Sequence, residues 1–246
     1  MTLLLVMEAI ENGSIGWDDM VSCSEHAASM GGTQIWLEPG EEMRLEDLIK
    51  AAAVNSANDA SMALAEYVAG SEGAFVDLMN ARAKELGMKD TTFVNPTGLD
   101  AEGHLSCAYD IALMSRELLR HSDITKYTTI WMDSLRDGKT GLTNTNKLVR
   151  FYEGCTGLKT GTTDGAGSCL SASATRQGLS LIAVSMGSTT SDERFASCRT
   201  LLNYGFSSFE SFTPEVPQEE LAPISVTRGV QETVPLTLSS TGPILI

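Results

Sequence analysis

The sequence is short of positive charge: 17 Lys and Arg against 32 Asp and Glu leave a formal net charge of −15 over 246 residues. Such a surface repels phosphate backbones and anionic headgroups, and its basic residues form no cluster able to release counterions, so nucleic acid is excluded as a partner. Long apolar runs are also missing. The stretch Thr2 to Met7 falls far below the roughly 20 residues that span a bilayer. It has no basic residues before it and no small-residue cleavage site after it, so it is not a signal peptide. Membrane contact and any export signal are therefore expected only in segments outside this sequence. The five cysteines, Cys23, Cys107, Cys155, Cys169 and Cys198, are odd in number and contain no C-x-x-C pair. That excludes a disulfide framework and a zinc cluster and predicts small buried hydrophobes instead. His26, His104 and His121 are far apart and form no H-E-x-x-H pattern, so neither a metal site nor a cofactor is expected. His121 reads as a residue at the C-terminal end of a helix.

The apolar periodicity that is present predicts a helix over Leu3 to Ile10, ended by Asn12-Gly13. Helix formers fill Leu45 to Ala69, but Asn55-Ser56-Ala57-Asn58 interrupts them with side chains that compete for backbone hydrogen bonds, which predicts two helices and a short connection. Ser71 is placed to cap a helix running to about Leu86, with Gly87 as its C-terminal glycine. Asp110 to Arg120 and Phe195 to Tyr204 read as further helices. Val149 to Tyr152, Cys169 to Ala174 and Leu179 to Met186 read as strands between glycine-containing turns. Helices first, then hairpin-spaced strands, then a last helix make an α+β domain with a mainly antiparallel sheet over residues 1–212. From 213 to 246, Pro214, Pro217 and Pro223 punctuate an acidic stretch before the β-rich Ile224 to Val226 and Thr233 to Leu238. This region reads as a linker and the first strands of a small all-β domain, too few to stand alone.

Lys159-Thr160-Gly161 lies between glycines at 154 and 157 and a turn at Asp164-Gly165, as a strand beside a pocket does. A K-T-G triplet alone, or Ser56-Ala57-Asn58 alone, is weak: the first is a common surface pattern and the second a common turn. Together and in this order they match two signatures of the serine penicillin-recognising enzymes, whose first is S-x-x-K. Leu37-Glu38-Pro39-Gly40-Glu41, Glu46-Asp47-Leu48, Phe93 to Leu99 (FVNPTGL), Asn144-Thr145-Asn146 and Gly157-Leu158-Lys159-Thr160-Gly161 extend the likeness over most of residues 1–212. On these residues the chain resembles the serine D-alanyl-D-alanine carboxypeptidases, low-molecular-mass penicillin-binding proteins with a DD-peptidase/β-lactamase-like fold.

The resemblance implies roles. Acyl transfer needs a base for the nucleophile, donors for the oxyanion, a proton for the leaving amine and an anchor for the substrate carboxylate. Ser56 would relay the proton to the leaving D-alanine and Asn58 would orient the substrate backbone. Lys159 and Thr160 would hold the terminal carboxylate, Gly161 would let substrate approach the strand, and the Thr162 backbone N–H would complete the oxyanion hole. Arg194 falls near the carboxylate. Partners implied are peptidoglycan stem peptides ending in D-Ala-D-Ala and β-lactam antibiotics, met by an exported enzyme at the outer face of the cytoplasmic membrane or in the cell wall.

No serine in the chain has the S-x-x-K spacing; three residues after Ser56 stands Asp59. Family members place that motif immediately before a Met-Thr-like helix segment, and the chain begins Met1-Thr2-Leu3. The motif is thus expected just upstream of Met1, with an N-terminal strand, and the fragment is expected to be inactive and to leave a sheet edge open. Two other readings stand beside the carboxypeptidase. One is a non-catalytic muropeptide-binding protein. The other is a class A β-lactamase-like hydrolase, although no suitable E-x-x-x-N loop precedes Lys159.

Overall fold

The computed structural model describes residues 1–213, 222–236 and 244–246. The chain opens with α1 (Thr2–Glu11), whose Leu4, Val6 and Met7 are fully buried. The short strands β1 (Met20–Ser22) and β2 (Glu42–Arg44) pair antiparallel around a one-turn α2 (Glu25–Ala28). Next come α3 (Leu45–Lys50), a π-helical turn over Ala51–Asn55, and α4 (Asn58–Ala69). The expected pair of helices is present, and the join is sharper than a loop: Ser56 sits at φ 62°, ψ 37°, reversing the chain in a single left-handed residue. The alanine-rich run 51–53 is completely buried, because small side chains let these helices approach closely.

Ser71 accepts from the Ala74 amide and starts α5 (Glu72–Glu85) as the sequence predicts, and Gly87 follows at φ +76°. Helix α6 (Ala108–Leu118) precedes a one-turn α7 (Thr125–Thr128) and the hairpin β3 (Met132–Leu135) and β4 (Thr140–Thr143). His121 lies at the C-terminal end of α6, as expected, and is buried, its Nδ1 2.7 Å from the Glu11 carboxylate.

One strand assignment is corrected. Val149 to Tyr152 does not form a strand; Leu148–Phe151 makes a helical turn, α8. Its β-branched and aromatic residues suit a strand, but Asn146 accepts from the Leu148 amide at 3.1 Å and Asn144 from the Asn146 amide at 2.8 Å. Local side-chain caps outweigh propensity in so short a segment.

The central sheet is antiparallel in the order β5 (Cys155–Thr163), β6 (Gly167–Arg176), β7 (Leu179–Ser188). Helix α9 (Ser191–Ser208) covers one face, burying Phe195, Cys198 and Leu202 against Leu170, Ala172 and Ala183. Alternation along β6 turns Ser171 to the other face, where it meets Ser115 of α6 at 2.7 Å. Helices on both faces of an antiparallel sheet give the expected α+β architecture. α9 exceeds its predicted span because Thr190 and Glu193 form a complete capping box a full turn before Phe195. Two-residue strands β8 (Ser211–Phe212) and β11 (Ile244–Leu245) pair, as do β9 (Ile224–Ser225) and β10 (Thr233–Val234). Pro214, Pro217 and the end of the predicted Thr233 to Leu238 strand lie outside the described residues. Among the described residues, no helix is long and apolar enough to cross a membrane.

Candidate active site

The outer edge of β5 faces the α1, α4 and α6 region across a cleft of about 540 Å³. Near the start of β5, at a shift in its pairing with β6, only a glycine fits at 157: at φ +133°, a Cβ there would lie 2.7 Å from the Thr128 Cβ, a distance no side chain tolerates. The strand then presents Lys159, Thr160, Gly161 and Thr162, paired with Ser171, Leu170, Cys169 and Ser168 of β6. Opposite it, the left-handed turn at Ser56 and the first turn of α4 bring in Ser56 and Asn58. Arg194 reaches the same cleft from α9, so every residue singled out by motif lines one cavity.

Lys159 ties its two walls together. Its Nζ donates to Ser56 Oγ and to the Thr160 carbonyl, both at 2.7 Å. Loss of water around the ammonium, reinforced by the charge of Arg194, lowers its pKa from 10.5 to about 8. Thr160 Oγ1 donates to Thr145 Oγ1 at 2.6 Å, joining the Asn144-Thr145-Asn146 segment to the strand. Asn58 is buried, with its Nδ2 on the Gly31 carbonyl at 2.8 Å and its amide on the Thr33 carbonyl at 2.7 Å. Gly32 makes that approach feasible: at φ +76°, a Cβ would lie 2.7 Å from Asn58 Nδ2.

Arg194 is buried, and its two terminal nitrogens are held by the protein while its Nε has no partner among the described residues. One guanidinium nitrogen donates to the Gly161 carbonyl and to Thr162 Oγ1, both at 2.8 Å, and to the Cys169 carbonyl at 3.2 Å; the other donates to Ser191 Oγ at 3.1 Å. It braces β5 from behind. Its side chain also lines the cleft.

Motif reading missed several residues here. Asp59, completely buried one position after Asn58, takes the amides of Ile35 and Leu37 at 3.1 and 3.0 Å. His104 lines the cleft edge-on to Phe93, its Nδ1 without a partner and its pKa lowered by burial. The FVNPTGL segment is cleft wall: Asn95 Oδ1 accepts from the Gly98 amide at 2.7 Å, and Thr2 Oγ1 donates to the Pro96 carbonyl at 2.6 Å. A buried carboxylate followed by apolar residues was the available signal for Asp59; for His104 there was none, because its neighbours come from distant segments. Asp90, Cys107 and Asp110 lie within reach of a common point, but Asp110 spends one oxygen on the Asp90 amide and Thr91 Oγ1 as a turn cap.

Comparison with known proteins matches the family model for D-alanyl-D-alanine carboxypeptidase over residues 1–190. The chain is 49% identical to the D-alanyl-D-alanine carboxypeptidase DacF of Bacillus subtilis, an alignment covering 97% of this chain and 62% of that protein. The chain thus spans less than two thirds of that relative's length. Penicillin binding protein 5 of Haemophilus influenzae superposes with a TM-score of 0.86 at 30% identity, covering 100% of this chain and 74% of that one. Penicillin-binding protein D2 of Listeria monocytogenes, solved with cefotaxime bound, gives a TM-score of 0.71 at 32% identity over 83% of each chain.

Proposed function

This chain belongs to the D-alanyl-D-alanine carboxypeptidase family, and from that membership we propose that its cleft holds peptidoglycan stem peptides ending in D-Ala-D-Ala for removal of the last D-alanine through an acyl-enzyme. The observation that carries the proposal is the Lys159 Nζ to Ser56 Oγ contact of 2.7 Å across the cleft. It supports the reading because a cation and a hydroxyl stand side by side there, as holding a terminal carboxylate and relaying a proton to a leaving amine would require. In this reading Lys159 and the Thr160 hydroxyl hold the carboxylate, and Asn58 orients the substrate amide. The exposed backbone of Gly161 and Thr162 lets substrate lie along β5 and offers the Thr162 N–H to the oxyanion. Arg194 keeps that strand straight. β-Lactams, which the Listeria relative binds, would occupy the same groove.

The nucleophile is proposed to belong to an S-x-x-K immediately ahead of Met1. The place of Met1 in the cleft wall supports this. Residues joined to it would enter the cleft at the N-terminus of α1, where the helix dipole favours a reactive hydroxyl. With a cell-wall substrate the protein would work outside the cytoplasmic membrane. The paired strands β9 and β10 support reading 213–246 as the start of a separate β-domain.

A fluorescent penicillin tests the assignment. The 246-residue sequence should not be labelled covalently, while a chain extended upstream to include S-x-x-K should be labelled and should release D-alanine from a D-Ala-D-Ala peptide. Labelling of the unextended chain that survives denaturation would place the nucleophile elsewhere. Binding without labelling or turnover by the extended chain would favour a muropeptide-binding protein.

A further inference from the structure

Trp36 is 75% exposed, yet the backbone beneath it is tightly fixed. Its φ is +58°, a left-handed conformation that a bulky side chain holds only when its surroundings impose it. Here they do. The amides on either side, Ile35 and Leu37, both donate to the buried Asp59 carboxylate, at 3.1 and 3.0 Å. The carbonyls of Ile35 and Trp36 accept from the Arg136 guanidinium at 2.8 and 3.3 Å. Arg136 is itself gripped by both oxygens of Glu41, at 2.7 and 3.0 Å. Ile35 and Leu37 point into the core, so the indole between them points out. No aromatic ring of the described residues stacks on it. A buried carboxylate and a clamped arginine thus hold an exposed aromatic plate in place.

The other end of the same arm is the cleft. Gly32 and Thr33 line it, and the carbonyls of Gly31 and Thr33 accept from Asn58. From Thr33 to Trp36 the chain can extend no more than about 10 Å, so a ligand seated in the cleft and continuing past Thr33 comes within reach of the indole. A neutral ligand suits the net charge of −15 better than an anionic one. A sugar ring supplies an apolar C–H face for the plate and hydroxyls for the surrounding water, the amphipathic match that exposed aromatics serve.

We propose that Trp36 is a stacking platform for an N-acetylhexosamine of the glycan strand to which the peptide substrate is attached. This rests on the peptidase reading above and adds a subsite for the carbohydrate half of the substrate.

The test uses the 246-residue chain and tetra-N-acetylchitotetraose, read by tryptophan fluorescence. Of the three tryptophans, Trp17 is stacked on Tyr127 and Trp131 is packed edge-on to Phe151, so a saccharide-dependent change reports on Trp36. We expect a saturable shift in the native chain and, by isothermal titration calorimetry, since the variants lack the reporting ring, affinity partly retained in Trp36→Phe and weakened about ten-fold or more in Trp36→Gly. Trp36→Gly should melt no lower than the native chain, because glycine relieves the strained φ. Absence of a saturable shift in the native chain, native calorimetric affinity in Trp36→Gly, or a clear loss of thermal stability in that variant would overturn the proposal. So would a Trp36 signal that depends on protein concentration without sugar, since it would make the plate a contact between copies. Sugar binding needs no turnover, so failure of the peptidase reading leaves this result legible. A working peptidase without sugar binding would remove only the Trp36 subsite.

Discussion

Lys159, proposed to hold the substrate carboxylate, is held in the cleft at a cost in stability. Its ammonium is drawn partly out of water into a cleft that also holds Arg194, which is why its pKa falls from 10.5 to about 8. In an upstream-extended enzyme, Lys159→Ala should lower kcat/KM on a free-acid D-Ala-D-Ala peptide by about one to two decades, the worth of a charge-assisted contact of roughly 1.5–3 kcal/mol. It should cost much less on the C-terminal amide; equal losses on both would move Lys159 to the shared acyl-transfer step. The acid-selective advantage needs the protonated amine, so it should fade as pH rises through about 8. Stability runs the other way. Between about 8 and 10.5 the unfolded chain holds a proton that the folded chain has released, so the Lys159 contribution to stability rises with pH across that window. Ser56→Ala should act mainly on kcat, since a relay matters while the amine departs.

At the level of elements, the cleft depends on where β5 and α9 are held. Thr190 accepts from the Glu193 amide at 3.2 Å, and Glu193 reaches back to the Thr190 amide at 3.2 Å, fixing the first turn of α9. Arg194 sits in that turn and braces Gly161 and Thr162. Thr190→Ala should therefore cost about 1 kcal/mol, a fall in melting temperature of roughly 2–4 °C for a domain of this size. In the extended enzyme it should also weaken kcat/KM, because a looser Arg194 leaves the Gly161 carbonyl less firmly placed. Lost stability with unchanged kcat/KM would separate the cap from the site. The fold of these elements is largely legible: α1, α5, β6 and β7 follow from periodicity and caps, and the earlier start of α9 follows from its capping box, while its end lies four residues beyond the expected Tyr204. Leu148–Phe151 was misread because four residues of β-type composition carry less weight than two asparagine caps. The β1–β2 and β3–β4 pairs were too short to leave an alternating pattern.

For the whole molecule, the residues after 213 govern handling. Every buried hydrophobic of the described residues lies at or before Leu202, whereas Ile224, Ile244 and Leu245 are exposed on two-residue strands and Val230 is exposed between two of them. The chain should consequently be prone to association through short, uncovered strand edges. Deleting residues 214–246 should raise the soluble, monomeric fraction in size-exclusion chromatography and leave the melting temperature of the α+β domain nearly unchanged. A large drop in that temperature would mean that the tail supports the domain.

The sequence by itself determined the fold class, the family and the motif residues. Periodicity and caps are local, and K-T-G with S-A-N keeps its order and spacing whatever surrounds it. It also determined that no serine carries the S-x-x-K spacing. Only the tertiary structure decided what those residues face. The Lys159–Ser56 contact joins positions 103 apart, and Arg194 proved to be a brace because its acceptors lie 25 to 33 positions away on β5 and β6. Trp36 was one apolar residue among many until the fold placed Asp59 beneath it and Arg136 beside it. Hydrogen bonds to the backbone depend on which chain segments meet, and that is settled by packing, which no local pattern records.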